Sequence, residues 1–211
     1  MTQMLTIADA VAAHALPVAP MRDLLDAFRQ DVVKKRYATF AELMDYCRRS
    51  ADPVGRLMLA LFGRDAPQDR SQSDSVCSGL QLANHWQDVA DDWSKGRVYL
   101  PQEDLDRFGV AESQIAAART DARWRELMAF QCERARGLLM RGAPLGSRLP
   151  GRVGMEIRAI VAGGLCILDR IDDVGGDVFT RRPTLQGLDW ARVFWRGVVG
   201  TRVAAAPVAS A

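Results

Sequence analysis

Apolar residues recur along this chain at three- and four-residue intervals, and no segment alternates apolar with polar positions. That pattern predicts an all-α chain. Leu24, Leu25, Phe28 and Val32 form one stripe of a helix over Asp23 to Lys35. A second helix is expected from Phe40 to Arg49, with Thr39 as its N-cap. A third begins around Pro53, a favourable first-turn residue, and stops near Gly63. Residues 63–70 read as a loop. A long helix then runs from about Ser71 or Asp74 to Trp93, ended by Lys95-Gly96.

Two more helices are expected over Ala122 to Met140 and Val153 to Asp172, joined by a Pro/Gly-rich connection at 141–151. The Gly163-Gly164 pair in the latter points to close packing against a neighbour. Asp189 is expected to cap a short final helix through Val193 and Trp195. No repeat or linker interrupts the pattern, so residues 1–200 read as a single domain. The segment 203–211 reads as a disordered tail.

Composition narrows the function classes. With 211 residues and 48% apolar content, the chain can bury a substantial core. A formal net charge of +2 gives no argument for nucleic acid, and Lys34, Lys35 and Arg36 read simply as a solvated helix end. The four cysteines, Cys47, Cys77, Cys132 and Cys166, show no C-x-x-C spacing. Small buried thiols in a reducing, cytoplasmic setting explain them better than disulfides or zinc. Only two histidines are present, which weighs against a histidine-based metal site. The first twenty residues lack the early positive charge of a signal peptide, and no stretch reaches the ~18 apolar residues of a membrane span. A soluble protein is expected, at most peripheral to the inner membrane.

The segment QLANHWQDVADDWSKGRVYLP, residues 81–101, carries the candidate chemistry. On a helix, Gln81, Asn84, Asp88, Asp91, Asp92 and Lys95 project onto one face, while Leu82, Trp86, Val89 and Trp93 fall roughly opposite. Asp88 and Asp92 are a like-charge i,i+4 pair, costing roughly 0.2–0.5 kcal/mol unless compensated. Asn84, Asp88 and Asp92 present three hard oxygen groups, suited to Mg²⁺ that shares its shell with substrate phosphates. Lys95 and Arg97 follow directly, placing cations beside these ligands. An acidic stripe is most often just the wet side of a helix, and spacing alone does not separate the two readings.

Residues 81–101 resemble the second signature of the squalene/phytoene synthase family, as Gln81, Asn84, Asp88, Asp92 and Arg97-Val98-Tyr99-Leu100-Pro101. Residues 31–55 are similar to another block of that family through Asp31, Tyr37, Tyr46, Cys47, Val54 and Gly55. Residues 154–171 resemble its late core helix more weakly. The resemblance implies a class I isoprenoid synthase fold, one all-α domain around an apolar cavity, acting on a prenyl diphosphate. It implies Mg²⁺–diphosphate binding by Asn84, Asp88 and Asp92, and diphosphate contacts from Arg97. Tyr46 would face the developing cation, with Gln81 and Tyr37 lining or supporting the cavity. Tyr46 has an equally plain role as core filler beside Leu43.

Two departures from the family pattern, Gln87 in place of an arginine and Ala51-Asp52-Pro53-Val54-Gly55 in place of Ala-Gly-x-Val-Gly, look most like hydroxysqualene synthases. Those enzymes convert presqualene diphosphate to hydroxysqualene. The alternative within the family is a head-to-head prenyl transferase making squalene, presqualene diphosphate or phytoene. The family's first acidic motif finds no match here: Asp9 stands alone, and Asp23 with Asp26 lacks the expected flanks. The domain therefore reads as incomplete at its amino terminus, and the chain alone as inactive or only weakly active. A reading of another class follows, an inactive helical remnant that serves as a binding partner.

Overall fold

A computed structural model of the chain describes residues 2–199, whose regular structure is all helical with no strand among them. The helices are α1 (Thr2–Ala13), α2 (Val18–Val33), α3 (Phe40–Ser50), α4 (Asp52–Leu61), α5 (Pro67–Gln87) and α6 (Val89–Ser94). Then come α7 (Gln102–Phe108), α8 (Glu112–Ala116), α9 (Ala122–Gly142), α10 (Leu145–Arg148), α11 (Gly151–Asp173) and α12 (Gly187–Val199). The all-α expectation holds. The tail expected at 203–211 lies outside the described residues.

The three longest helices, α5, α9 and α11, build the centre of the bundle. Their approach depends on glycine at the crossings. A Cβ on Gly142 of α9 would lie 2.6 Å from the Gln72 carbonyl oxygen and 2.8 Å from the Val76 nitrogen, both backbone atoms of α5. Gly164 of α11 packs as the sequence predicts, with its Cβ position 2.8 Å from Leu80 and 3.0 Å from Leu139, whereas Gly163 faces open space. Around these contacts Leu82, Trp86, Trp124, Leu127, Leu139 and Leu168 are buried in one continuous core. Fixing α5 so tightly matters because α5 carries the candidate site.

Local signals explain several ends. Thr39 caps α3 as expected, its hydroxyl accepting from the Glu42 N–H at 3.2 Å. Asp121 caps α9 through the Trp124 N–H at 3.0 Å. Asp189 lies inside the first turn of α12 rather than at its cap, and its carboxylate reaches back to the Gln186 N–H at 2.8 Å.

Other boundaries differ from expectation. The loop 63–70 is shorter, because Pro67 starts α5 four residues before Ser71. The connection at 141–151 contains α10, whose Arg148 pairs with the buried Asp69 at 2.6 Å. The long helix expected to Trp93 has one irregular residue, Asp88 (φ −105°, ψ 16°). Hydrogen bonds from Asp88 N–H to Asn84 and from Asp92 N–H to Asp88 carry the turn across it.

Lys34, Lys35 and Arg36 do not form a solvated helix end. Lys34 pairs with Glu42, and Lys35 donates to the Asp31 carbonyl at 2.6 Å. Arg36 grips Glu112 through two bonds of 2.6 and 2.8 Å and donates to the Gly96 carbonyl at 2.7 Å. The basic run is a clamp between α2 and the loop after α6. Its partners lie up to 76 residues away, so no local pattern announces them.

Candidate active site

The site is built on one face of α5. At 100° per residue, Ser73, Cys77, Leu80 and Asn84 fall within about 60° of one another. Val54, Met58, Phe62, Cys77, Leu80 and Ile160 are among the residues lining an apolar groove of about 250 Å³ between α4, α5 and α11. Asn84 lies one turn beyond Leu80 on the same face, and Asp88 one turn further. An apolar trough therefore runs along α5 toward an acidic end. A larger hollow of about 690 Å³ beside α2 shares no residue with this groove, and its Arg56 and Arg70 are already paired with Asp74 and Asp65.

At the acidic end, Asn84 is exposed, and Asp88 and Asp92 are half-buried. Burial and then the neighbouring Asp88 carboxylate push Asp92 up to about pH 6. Arg182 already compensates Asp88, so Asp92 is the carboxylate whose charge a cation would stabilise. Two carboxylates and one amide form only part of a shell, and the described residues hold no cluster of three or more His, Cys, Asp or Glu side chains. Such a partial set fits Mg²⁺, which keeps several waters and takes substrate phosphate oxygens as ligands.

Asp88 has a partner that the sequence does not announce. Arg182, in the segment after α11, donates to its two carboxylate oxygens at 2.5 and 3.3 Å and to Gln87 at 3.2 Å. Gln87 also donates to the Pro183 carbonyl, so the residue in place of the family's arginine ties this segment to α5. Arg182 lies 94 residues from Asp88, and only folding joins them.

The loop after α6 places the cations. Gly96 takes the left-handed conformation at φ +74°, turning the chain back. The Val98, Gln102 and Glu103 N–H groups then bond the carbonyls of Lys35, Tyr37 and Ala38. This pairing holds Arg97 half-buried, with one weak bond of 3.4 Å to the Asp31 carbonyl and a buried Nε without a partner among the described residues. An orphaned guanidinium N–H costs about 1–3 kcal/mol unless an acceptor arrives. Lys95 is exposed at the rim.

Beneath Arg97 lies an aromatic cluster. Tyr37, Tyr46 and Tyr99 have ring centroids 5.5–5.9 Å apart, and His85 stacks on Tyr99 at 3.7 Å and 12°. Tyr46 donates to Asp31 at 3.1 Å, and the other Asp31 carboxylate oxygen is buried without a partner among the described residues. Gln30 donates to Tyr37 at 3.2 Å. Gln81 lies 3.3 Å from His85, whose complete burial lowers its pKa to about 3 and keeps it neutral. Burial raises the pKa of both Tyr37 and Tyr46, so both remain phenols. Tyr99, His85, Asp31 and Arg182 are members of the site that sequence reasoning gave no role.

Asp52, the second departure from the family pattern, is buried at the start of α4 and accepts from the Ser78 hydroxyl at 2.7 Å. Burial, then repulsion from Asp74, raises its pKa to about 7. Between about pH 4 and 7 the unfolded chain has lost this proton while the folded chain keeps it, so stability falls as pH rises through that window. Asp52→Asn is expected to remove this dependence. The variant should gain on the order of 3 kcal/mol over the parent at pH 8 and little near pH 4. Urea unfolding of both proteins at the two pH values checks it.

Comparison with known proteins agrees with the fold. A sequence model of the family described as squalene/phytoene synthase matches residues 4–189. The hydroxysqualene synthase of Rhodopseudomonas palustris is 37% identical over 155 residues, covering 72% of this chain and 53% of that protein. The 15-cis-phytoene synthase of a Synechocystis species is 34% identical over 208 residues, covering 90% of this chain and 60% of that protein. The chain thus spans little more than half the length of these curated relatives. The crystal structure of squalene synthase HpnC from Alicyclobacillus acidocaldarius superposes with a TM-score of 0.76 at 39% identity, covering 78% of this chain and 63% of that one. Its fold is that of an isoprenoid synthase, and the chain described here is a member of the squalene/phytoene synthase family.

Proposed function

We propose that this chain carries the diphosphate-binding wall and part of the tail cavity of an enzyme that converts presqualene diphosphate to hydroxysqualene. The observation that carries this reading is the apolar groove along α5, which leads to Asn84 and, past the end of that helix, to Asp88 and Asp92, about three turns beyond Leu80. That order, apolar then anionic, matches a prenyl tail and a metal-bound diphosphate head.

Asn84, Asp88 and Asp92 would hold Mg²⁺, which would supply positive charge against the leaving diphosphate. Arg97 supplies an N–H donor already lacking an acceptor, and Lys95 adds a second cation at the rim. Tyr37, Tyr46 and Tyr99 are buried in the core and line none of the described cavities. Were substrate to open a space beside them, their faces would stabilise a cyclopropylcarbinyl cation by ~2 kcal/mol with water excluded. Asp31 fixes the Tyr46 ring through its hydroxyl. The rearranged cation takes the oxygen of water, and one water proton is released.

The hydroxysqualene branch is supported by Gln87 and Asp52, and by the similarity to the hydroxysqualene synthases of Rhodopseudomonas palustris and Sinorhizobium fredii. A second reading, a head-to-head prenyl transferase, is favoured by the longer match to 15-cis-phytoene synthase. Separate incubations with presqualene diphosphate and farnesyl diphosphate, with Mg²⁺ present, distinguish them. Hydroxysqualene formed from presqualene diphosphate is the expected result. Turnover of farnesyl diphosphate without turnover of presqualene diphosphate would establish the second reading instead.

A further inference from the structure

Helix α12 is packed inside out. The side that meets α11 is narrow and built of small residues and one carboxylate, with Asp189, Val193 and Gly197 buried there. Arg170 grips Asp189 at 2.9 and 3.0 Å, and Arg158 donates to the Gly197 carbonyl at 2.9 Å. A Cβ on Gly197 would come within 3.1 Å of Ala159, so the two helices touch closely. The large apolar residues point the other way. Trp190, Phe194 and Trp195 are 60%, 71% and 67% exposed, and Leu188 and Val198 join them. At 100° per residue these five fill about half the circumference of the helix.

So much contiguous apolar surface on a firmly held helix marks an interaction face. The chemistry of its border identifies the partner. Arg192 and Arg196 follow each other along one edge of the apolar stripe, and neither has an ion-pair partner among the described residues. The only carboxylate of the helix, Asp189, is buried and neutralised by Arg170. Two indoles, a phenyl ring and bordering arginines on a 13-residue helix, ~20 Å long, suit the plane of a lipid headgroup layer. No helix among the described residues is long and apolar enough to cross a membrane.

We infer that the outer face of α12 docks this protein onto an anionic lipid bilayer, with Trp190, Phe194 and Trp195 in the interface and Arg192 and Arg196 at the headgroups. This inference does not depend on which reaction the protein catalyses.

The test is sedimentation of the full chain with vesicles of phosphatidylcholine alone or mixed with phosphatidylglycerol, at low and high salt. Partitioning into the anionic vesicles should be at least tenfold stronger and should weaken with salt. Arg192→Gln with Arg196→Gln should lower it to the level of the neutral vesicles. The variant Trp190→Ser, Phe194→Ser, Trp195→Ser should lose it at least tenfold while keeping the circular dichroism and melting temperature of the parent. If that triple variant no longer folds, Trp195→Ser alone is scored the same way. Equal binding by the folded variants and the parent, or no binding to either vesicle, overturns the inference. So does a parent that is dimeric by light scattering and turns monomeric in the triple variant without any vesicle binding, which would assign the face to a second copy.

Discussion

Asp88→Ala is expected to lower kcat/KM of an active form of the enzyme on the order of 10²–10³-fold, with folding stability changed by less than ~1 kcal/mol. The two halves of this expectation belong together. If Asp88 served only as the partner of Arg182, its loss would remove one partly exposed ion pair, and such pairs contribute little. If it holds a cation against a leaving group, its loss removes charge stabilisation where charge develops, and metal affinity falls with it. Steady-state kinetics beside a urea titration separates the roles. A large stability loss with proportionate activity loss would make Asp88 structural.

Trp86→Ala carries the largest expected cost to the fold, about 4 kcal/mol. Trp86 is fully buried on the side of α5 that enters the main core, opposite Asn84 and Asp88. A domain stable by about 5–15 kcal/mol would lose a large share of its margin. Trp190→Ala, at a 60% exposed position, should change stability by less than ~0.5 kcal/mol. Chemical denaturation of both variants tests whether the core side of α5 and the outer face of α12 are assigned correctly.

The sequence made one side of this picture legible. Periodicity reveals the long helices, because α2, α5, α9 and α11 each repeat their apolar positions over several turns. The short helices α7, α8 and α10 hold too few turns to establish a period, and prolines at 101, 144 and 150 look like loop residues. Helix α1 was not foreseen, since small alanines carry much of its pattern.

The site divides in the same way. Gln81, Asn84, Asp88, Asp92 and Arg97 lie within seventeen residues, where spacing alone brings them together. Asp31, Arg182 and the stack of His85 on Tyr99 depend on chain segments that meet only after folding. The role of Gln87 is the clearest example. The resemblance to the family implies that it is a departure, but its bond to the Pro183 carbonyl shows where the glutamine is held.

Titration calorimetry with inorganic pyrophosphate, with and without Mg²⁺, tests the central claim most directly. The account predicts binding that requires Mg²⁺ and falls at least ~10-fold in Asp88→Ala and in Asp92→Ala. Pyrophosphate binding that ignores both the cation and these two substitutions would contradict it.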